Sequence, residues 1–160
     1  MLADFARAGF RYVSTASELE ALDAPKTDAL LGLFALSNMN VALDKIEGRR
    51  AKKAGKSDTV VEDFGLPDQP MLDEMTTKAL QVLDRNPKGF VLMVEGASID
   101  KQAHAMDTER WLLDTLELDR AVKVAQDFAK RKGDTLVLVT ADHETSGVAL
   151  IGASRLTDAK

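Results

Sequence analysis

Two uninterrupted apolar runs, Phe90-Val91-Leu92-Met93-Val94 and Thr135-Leu136-Val137-Leu138-Val139-Thr140, constrain the fold of this 160-residue chain more than any other feature. Continuous runs of this kind are expected of strands buried on both faces. Helical sequence lies between them. One helix is expected to start soon after Gly96, and a longer one follows, with Leu112, Leu116, Val122, Ala125 and Phe128/Ala129 at helical spacing. Arg131-Lys132-Gly133 is a fitting C-terminus for it. Strand, helices, strand is a crossover unit. The two strands are therefore expected to be parallel and the crossover right-handed.

The upstream sequence reads as shorter elements. Gly9-Phe10-Arg11-Tyr12-Val13 suits a strand, and Thr15 followed by Glu18 fits a capping box that opens a helical turn through Leu19 and Leu22. Leu30-Leu31-Gly32-Leu33-Phe34-Ala35 is an apolar run expected to be a buried strand. Residues 44–68 contain Glu47-Gly48-Arg49-Arg50-Ala51-Lys52-Lys53-Ala54-Gly55-Lys56, a charged, glycine-punctuated stretch expected to be a solvated surface loop. Residues 70–85 read as a helix, with Pro70 suited to its first position and Asn86-Pro87 as its stop. Leu72, Met75, Ala79 and Val82 share one face of it.

Composition removes several function classes. A net charge of −5 argues against phosphate-backbone binding, which needs clustered Lys and Arg, so no nucleic-acid partner is expected. No apolar stretch approaches the roughly 20 residues of a membrane span. Cysteine is absent, which excludes disulfides, thiolate metal sites and Cys catalysis. The start, Met1-Leu2-Ala3-Asp4-Phe5-Ala6-Arg7, lacks the basic lead and apolar centre of a signal peptide, so a cytoplasmic protein or a mature or trimmed piece is expected.

Chemistry concentrates where the apolar runs end. In open α/β sheets, ligands bind beyond the C-terminal ends of strands. The first run enters Glu95-Gly96-Ala97-Ser98-Ile99-Asp100-Lys101-Gln102-Ala103-His104, and the second enters Thr140-Ala141-Asp142-His143-Glu144-Thr145. Parallel neighbours would bring both ends to one edge. Asp100 and His104 stand one helical turn apart and can present a carboxylate and an imidazole to one cation. Zinc accepts that pair at about 2.0–2.2 Å. Asp142 and His143 are adjacent, so they can share a metal on an irregular loop. Glu95, a carboxylate at a strand end, suits a hard cation such as Mg²⁺. His104 and His143 are the two histidines of the chain, and each follows an apolar run with an Asp beside it. Spacing alone leaves a metal site and an acid–base site both open.

The run Val94-Glu95-Gly96-Ala97-Ser98-Ile99-Asp100-Lys101-Gln102-Ala103-His104 closely resembles the signature of the alkaline phosphatase family. Thr140-Ala141-Asp142-His143-Glu144-Thr145-Ser146-Gly147 resembles that family's second signature, and Leu31 to Ala35 and Gln69 to Leu80 are similar to family sequence too. The resemblance runs from about Gly9 to Ile151. It implies an α/β three-layer sandwich with a mostly parallel central sheet, of which residues 1–160 are a single partial domain, the C-terminal portion. It also implies hydrolysis of phosphate monoesters through a phosphoserine, two zinc ions and one magnesium ion. Position by position, Glu95 matches the magnesium ligand, Asp100 and His104 two ligands of the first zinc, and Asp142 and His143 two ligands of the second. Lys101 matches a position that in one branch of the family helps to hold phosphate. A homodimer and a periplasmic or extracellular location are implied for the intact protein.

The same comparison marks what this sequence lacks. The family's nucleophile lies in an Asp-Ser-Ala type motif, and no Asp-Ser-Ala occurs here. Ser98 and Ser146 lie near the motifs, but neither matches it, so no catalytic residue is assigned. A bridging Asp, a Thr ligand, a phosphate-clamping Arg and a further His are also unmatched. Asp107 to Trp111 stands where one branch has a cysteine-containing loop. Stable zinc sites have three or four protein ligands, so weak or no metal binding and no activity are expected of this chain alone. Bare sheet edges and apolar faces, with self-association, are expected as well. Two other readings compete: a non-catalytic metal-binding or interaction module of the same fold, and a related metalloenzyme such as a phosphoglycerate mutase or phosphodiesterase.

Overall fold

A 25-residue helix, Thr108–Lys132, is the spine on which the other helices of the chain assemble. The computed structural model describes residues 1–53, 68–149 and 152. In chain order the elements are α1 (Leu2–Arg7), β1 (Arg11–Val13), α2 (Ala16–Ala21), a 3-10 turn (Ala24–Lys26), β2 (Leu30–Gly32), α3 (Ala42–Lys53), α4 (Leu72–Leu83), α5 (Ala97–His104) and α6 (Thr108–Lys132). α6 packs against α4, α5 and α3. Its ends follow from its sequence. The Asp107 side chain accepts from the Arg110 N–H at 3.1 Å, and Gly133 closes the helix at φ 76°, a left-handed conformation that glycine adopts without steric cost.

β1 and β2 are parallel, with Arg11 opposite Leu30, Tyr12 opposite Leu31 and Val13 opposite Gly32. Both strands are shorter than the apolar runs that predicted them. Val13, Leu19 and Phe34 form a small core, against which Leu22, Leu30, Met39 and Met75 pack. The expected cap of α2 is present: Thr15 Oγ1 accepts from the Glu18 N–H at 3.1 Å. Glu18 reaches back to the Ser14 N–H at 2.7 Å.

Four expectations need correction. The strands expected at 90–94 and 135–140 belong to no ladder, and no pairing between them exists among the described residues. Val91 is 96% exposed, Met93 84%, Leu136 80% and Leu138 81%, whereas Phe90, Leu92, Val94 and Val137 are partly covered. Through 90–94 and 135–138 that alternation is the period of an extended chain, and it ends at Val139, which is 61% exposed. One side rests on helices, as where Phe90 meets Phe128 edge-on at 5.9 Å. The other side lacks the covering layer that a two-faced apolar run requires.

Second, residues 44–53 of the expected 44–68 loop belong to α3, because Glu, Lys, Arg and Ala are strong helix formers and outweigh the single Gly48. Residues 54–67 lie outside the described residues. Third, Pro70 does not open the 70–85 helix. Its first residue is Leu72, and Glu74 Oε2 accepts from the Met71 N–H at 2.9 Å.

Fourth, the apolar set at helical spacing in α6 supplies only part of its buried stripe: Phe128 is buried and Val122, Ala125 and Ala129 are partly so. Leu112 and Leu116 are exposed, and Asp114, Glu117, Ala121 and Phe128 are buried. Two helix starts face this stripe. Asp114 Oδ1 accepts from Ala42 N, the first residue of α3, at 2.9 Å. Glu117 Oε1 accepts from Leu72 N, the first residue of α4, at 2.8 Å. Lys45 Nζ lies 2.5 Å from the same Glu117 oxygen and 3.4 Å from the Pro70 carbonyl. Helix N-termini present amides without intrahelical partners, and α6 supplies acceptors to two of them. Gln69 then ties down the 33–41 loop, donating to the Phe34 carbonyl at 3.0 Å and accepting from Asn40 N at 2.8 Å.

Candidate functional site: two carboxylate–imidazole pairs joined by a hydroxyl

The first polar cluster is carried by α5, which begins where the chain leaves the 90–94 run. Gly96 precedes it and lies close to α6. A Cβ there would stand 3.1 Å from Ile99 Cδ1 and 3.3 Å from Leu118 Cβ, so glycine lets α5 start against the spine. Asp100 and His104 share a face, with His104 Nε2 3.5 Å from Asp100 Oδ1, as their four-residue spacing predicts. Lys101 extends to the 33–41 loop, where its ammonium donates to Asn38 Oδ1 at 2.8 Å. Glu95 is exposed one residue before Gly96.

The second cluster sits on an irregular turn. Asp142 Oδ1 accepts from His143 N at 3.0 Å, and His143 Nε2 lies 3.3 Å from Asp142 Oδ2. His143 Nδ1 is 2.8 Å from the Glu144 carbonyl. A carbonyl only accepts, so Nδ1 carries the hydrogen and Nε2 is the nitrogen with a lone pair when the ring is neutral. Glu144 Oε2 accepts from Gly147 N at 3.0 Å, and Ser146 takes φ 60° as the chain reverses.

Thr145 joins the clusters. Its hydroxyl donates to Asp100 Oδ1 at 2.6 Å across 45 positions of sequence, and its oxygen lies 3.3 Å from His143 Nδ1. The two runs need no shared ladder for their polar ends to meet. The electrostatics follow. The Thr145 hydroxyl holds the Asp100 carboxyl below its ordinary range against the opposing effect of burial, with help from His104, His143 and Lys101. The Glu144 carbonyl, then the Asp142 charge, push the His143 imidazole up.

Asp100, His104, His143 and Thr145 thus form one linked set, with Asp142 beside His143. Glu95 is not hydrogen-bonded into it. Among the described residues, no three His, Asp or Glu side chains are gathered closely enough to cage a metal ion. The donors are nonetheless carboxylate oxygens and imidazole nitrogens, the set that zinc accepts, arranged as two pairs open to solvent. A separate cavity of about 520 Å³ is lined by residues 9–29, among them Arg11, Glu18 and Lys26, and touches none of the motif residues. Sequence reasoning singled out neither Thr145 nor Asn38. A hydroxyl three residues past Asp142, inside the second motif, was the available signal for Thr145. Nothing in the sequence ties Asn38 to Lys101.

The model of the family described as alkaline phosphatase matches residues 1–159. The chain is similar to the alkaline phosphatase of Escherichia coli (strain K12), at 44% identity over 141 residues, covering 84% of the chain and 29% of that protein. It is 38% identical to alkaline phosphatase 4 of Bacillus subtilis (strain 168), covering 94% of the chain and 28% of that protein. Among solved structures, Thermus thermophilus alkaline phosphatase superposes with a TM-score of 0.65 at 30% identity, covering 81% of this chain and 23% of that one. The chain therefore spans less than a third of the length of these relatives. No helix among the described residues is long and apolar enough to cross a membrane.

Proposed function

The chain belongs to the alkaline phosphatase family, and from that premise we propose that it supplies metal ligands for the hydrolysis of phosphate monoesters. In this reading Asp100 and His104 hold one zinc ion, Asp142 and His143 a second, and Glu95 a magnesium ion. Lys101 assists in holding the substrate phosphate by electrostatics and through water. Bound cations supply two things: they lower the pKa of a hydroxyl or water, and they offset charge on the transferring phosphoryl group. The serine that forms the phosphoserine lies outside this chain, so residues 1–160 alone bind metal weakly and do not turn over. In the intact protein the reading extends to a homodimer in the periplasm or outside the cell.

The observation that carries this reading is the 2.6 Å hydrogen bond from Thr145 to Asp100, which links the two motifs at one locus. The chain's own residues then have definite tasks. Asp100 keeps a charged carboxylate available to a cation, because the hydroxyl beside it favours the ionised form. His143, with Nδ1–H turned to the Glu144 carbonyl, keeps Nε2 for a metal. The Asn38 amide oxygen orients the Lys101 ammonium.

Two measurements test the reading: turnover of p-nitrophenyl phosphate with added Zn²⁺, and calorimetric titration of the chain with Zn²⁺. Weak zinc binding that Asp100→Asn and His143→Ala abolish, without turnover, is expected. Robust turnover by this chain alone would overturn the placement of the nucleophile outside it. Tight stoichiometric zinc without turnover would favour a metal-binding module instead.

A further inference from the structure

Thr145 is not a metal ligand in the reading above, yet its side chain carries the hydrogen bond between the 140–147 turn and α5. Asp100 is partly exposed on a helix of eight residues, and an exposed aspartate samples several χ1 wells. The Thr145 hydroxyl has one hydrogen and gives it to Asp100 Oδ1, 2.6 Å away. Its oxygen lies 3.3 Å from His143 Nδ1, as a second, longer acceptor for the hydrogen that Nδ1 turns to the Glu144 carbonyl at 2.8 Å. One oxygen of the carboxylate is thereby engaged, Oδ2 remains as a donor, and the ring of His143 is braced on the same hydroxyl. Serine could make both contacts. Valine, of nearly the same shape, could make neither.

We propose that Thr145 is a positioning residue, whose hydroxyl fixes the Asp100 carboxylate and couples the Asp100–His104 pair to the Asp142–His143 pair for a divalent cation. The role rests on the metal-ligand reading, and its test separates the two. Groups that orient a metal's ligands typically contribute about 10–100-fold to metal affinity.

The first arm of the test needs no metal. In the 160-residue chain, NMR couplings and the Cγ shift of Asp100 report its rotamer. One dominant rotamer is expected in the wild type and in Thr145→Ser, and averaging in Thr145→Val and Thr145→Ala. The second arm follows broadening of the amide signals of residues 97–104 and 141–145 by Mn²⁺, with Asp100→Asn as control. Thr145→Val and Thr145→Ala should need about 10–100-fold more Mn²⁺ for equal broadening, and Thr145→Ser should stay close to wild type. An unchanged Asp100 rotamer, or an unchanged Mn²⁺ dose, in both hydroxyl-free variants would overturn the role of Thr145. The ligand reading would survive that result if Asp100→Asn still weakened binding. Broadening that ignores Asp100→Asn would overturn both.

Discussion

Asp114 Oδ1 accepts a hydrogen bond from the backbone N–H of Ala42 at 2.9 Å, so a carboxylate on α6 caps a helix that begins 72 positions earlier. Three residues on, Glu117 does the same for Leu72 at the start of α4. A single helix therefore sets where two others begin. The loop that ends at Ala42 carries Asn38, and Asn38 holds Lys101. The buried junction and the polar site are in this way parts of one framework, with α6 beneath both.

Asp114 is 3% exposed, and its second oxygen, Oδ2, is buried without a hydrogen-bond partner among the described residues. Burial raises its pKa above the ordinary carboxylate value of 3.8; the Ala42 amide opposes this, Glu117 and Asp44 add to it, and Lys45 counters them. A raised carboxyl pKa means that the folded state holds the proton more tightly than the unfolded one. The stability Asp114 contributes is complete below 3.8 and is lost as pH rises through its folded value. Asp114→Asn keeps an acceptor for Ala42 and removes the charge. Urea unfolding should show it as stable as the wild type or more so at pH 7, with the difference narrowing toward pH 4. Asp114→Ala should lose about 0.5–2 kcal/mol at both pH values, the usual cost of a missing cap.

The Lys45–Glu117 pair leads to a different expectation. Its side chains are 6% and 8% exposed, so removing one partner strands a charge in the interior. Lys45→Met should cost about 3–5 kcal/mol in urea unfolding, because Glu117 would keep the Leu72 amide alone. Adding Glu117→Gln should recover part of that loss, since glutamine still offers Leu72 an acceptor and carries no charge. A double variant less stable than Lys45→Met would show that the ion pair is not what Glu117 is kept for.

These two expectations mark where sequence reading succeeded and failed. Helix existence was legible where caps and stops were local, as at Thr15 with Glu18 and at Gly133 with its left-handed φ; the Asp107 cap of α6 came only with the structure, in a stretch read as a loop. The Asp100–His104 pairing was legible because it depends on helical spacing alone. The burial of Asp114 and Glu117 was not, because an acid at a helical position reads as solvent-facing unless the amides that need it are known. Those amides belong to Ala42 and Leu72, far away in sequence. Thr145 was missed for the same reason: a hydroxyl's role depends on which carboxylate the fold delivers to it. The apolar runs at 90–94 and 135–140 read as strands covered on both faces, yet among the described residues they join no ladder and leave one side exposed.

A local cap gives the simplest check. Glu18 Oε2 accepts from the backbone and hydroxyl of Ser14 at 2.7 and 3.0 Å, and these bonds hold its pKa below the ordinary value. A depressed carboxyl pKa contributes stability that is present above the unfolded value of 4.5 and is lost as pH falls through the folded one. Thr15→Ala should cost about 0.5–2 kcal/mol at neutral pH. Glu18→Gln should remove the share of the acid-side slope that Glu18 contributes, beside those of Asp100, Asp107 and Asp127, without unfolding α2. Both are read from thermal melts between pH 3 and pH 7.

Self-association follows from the bare side of the two extended segments. Val91, Met93, Leu136 and Leu138 are each at least 80% exposed, on backbone that joins no ladder among the described residues. An apolar surface beside unpaired N–H and C=O groups is a template for another extended chain, and a second copy of this one carries the matching edge. Sedimentation velocity should show dimers or larger species growing with concentration. Lysine at alternate positions, as in Val91→Lys with Leu138→Lys, should return the chain to monomer without lowering its helix content. The pair is chosen because both side chains already point to solvent, so the charges cost the helical core nothing. A wild-type chain that stays monomeric at high concentration would overturn this expectation.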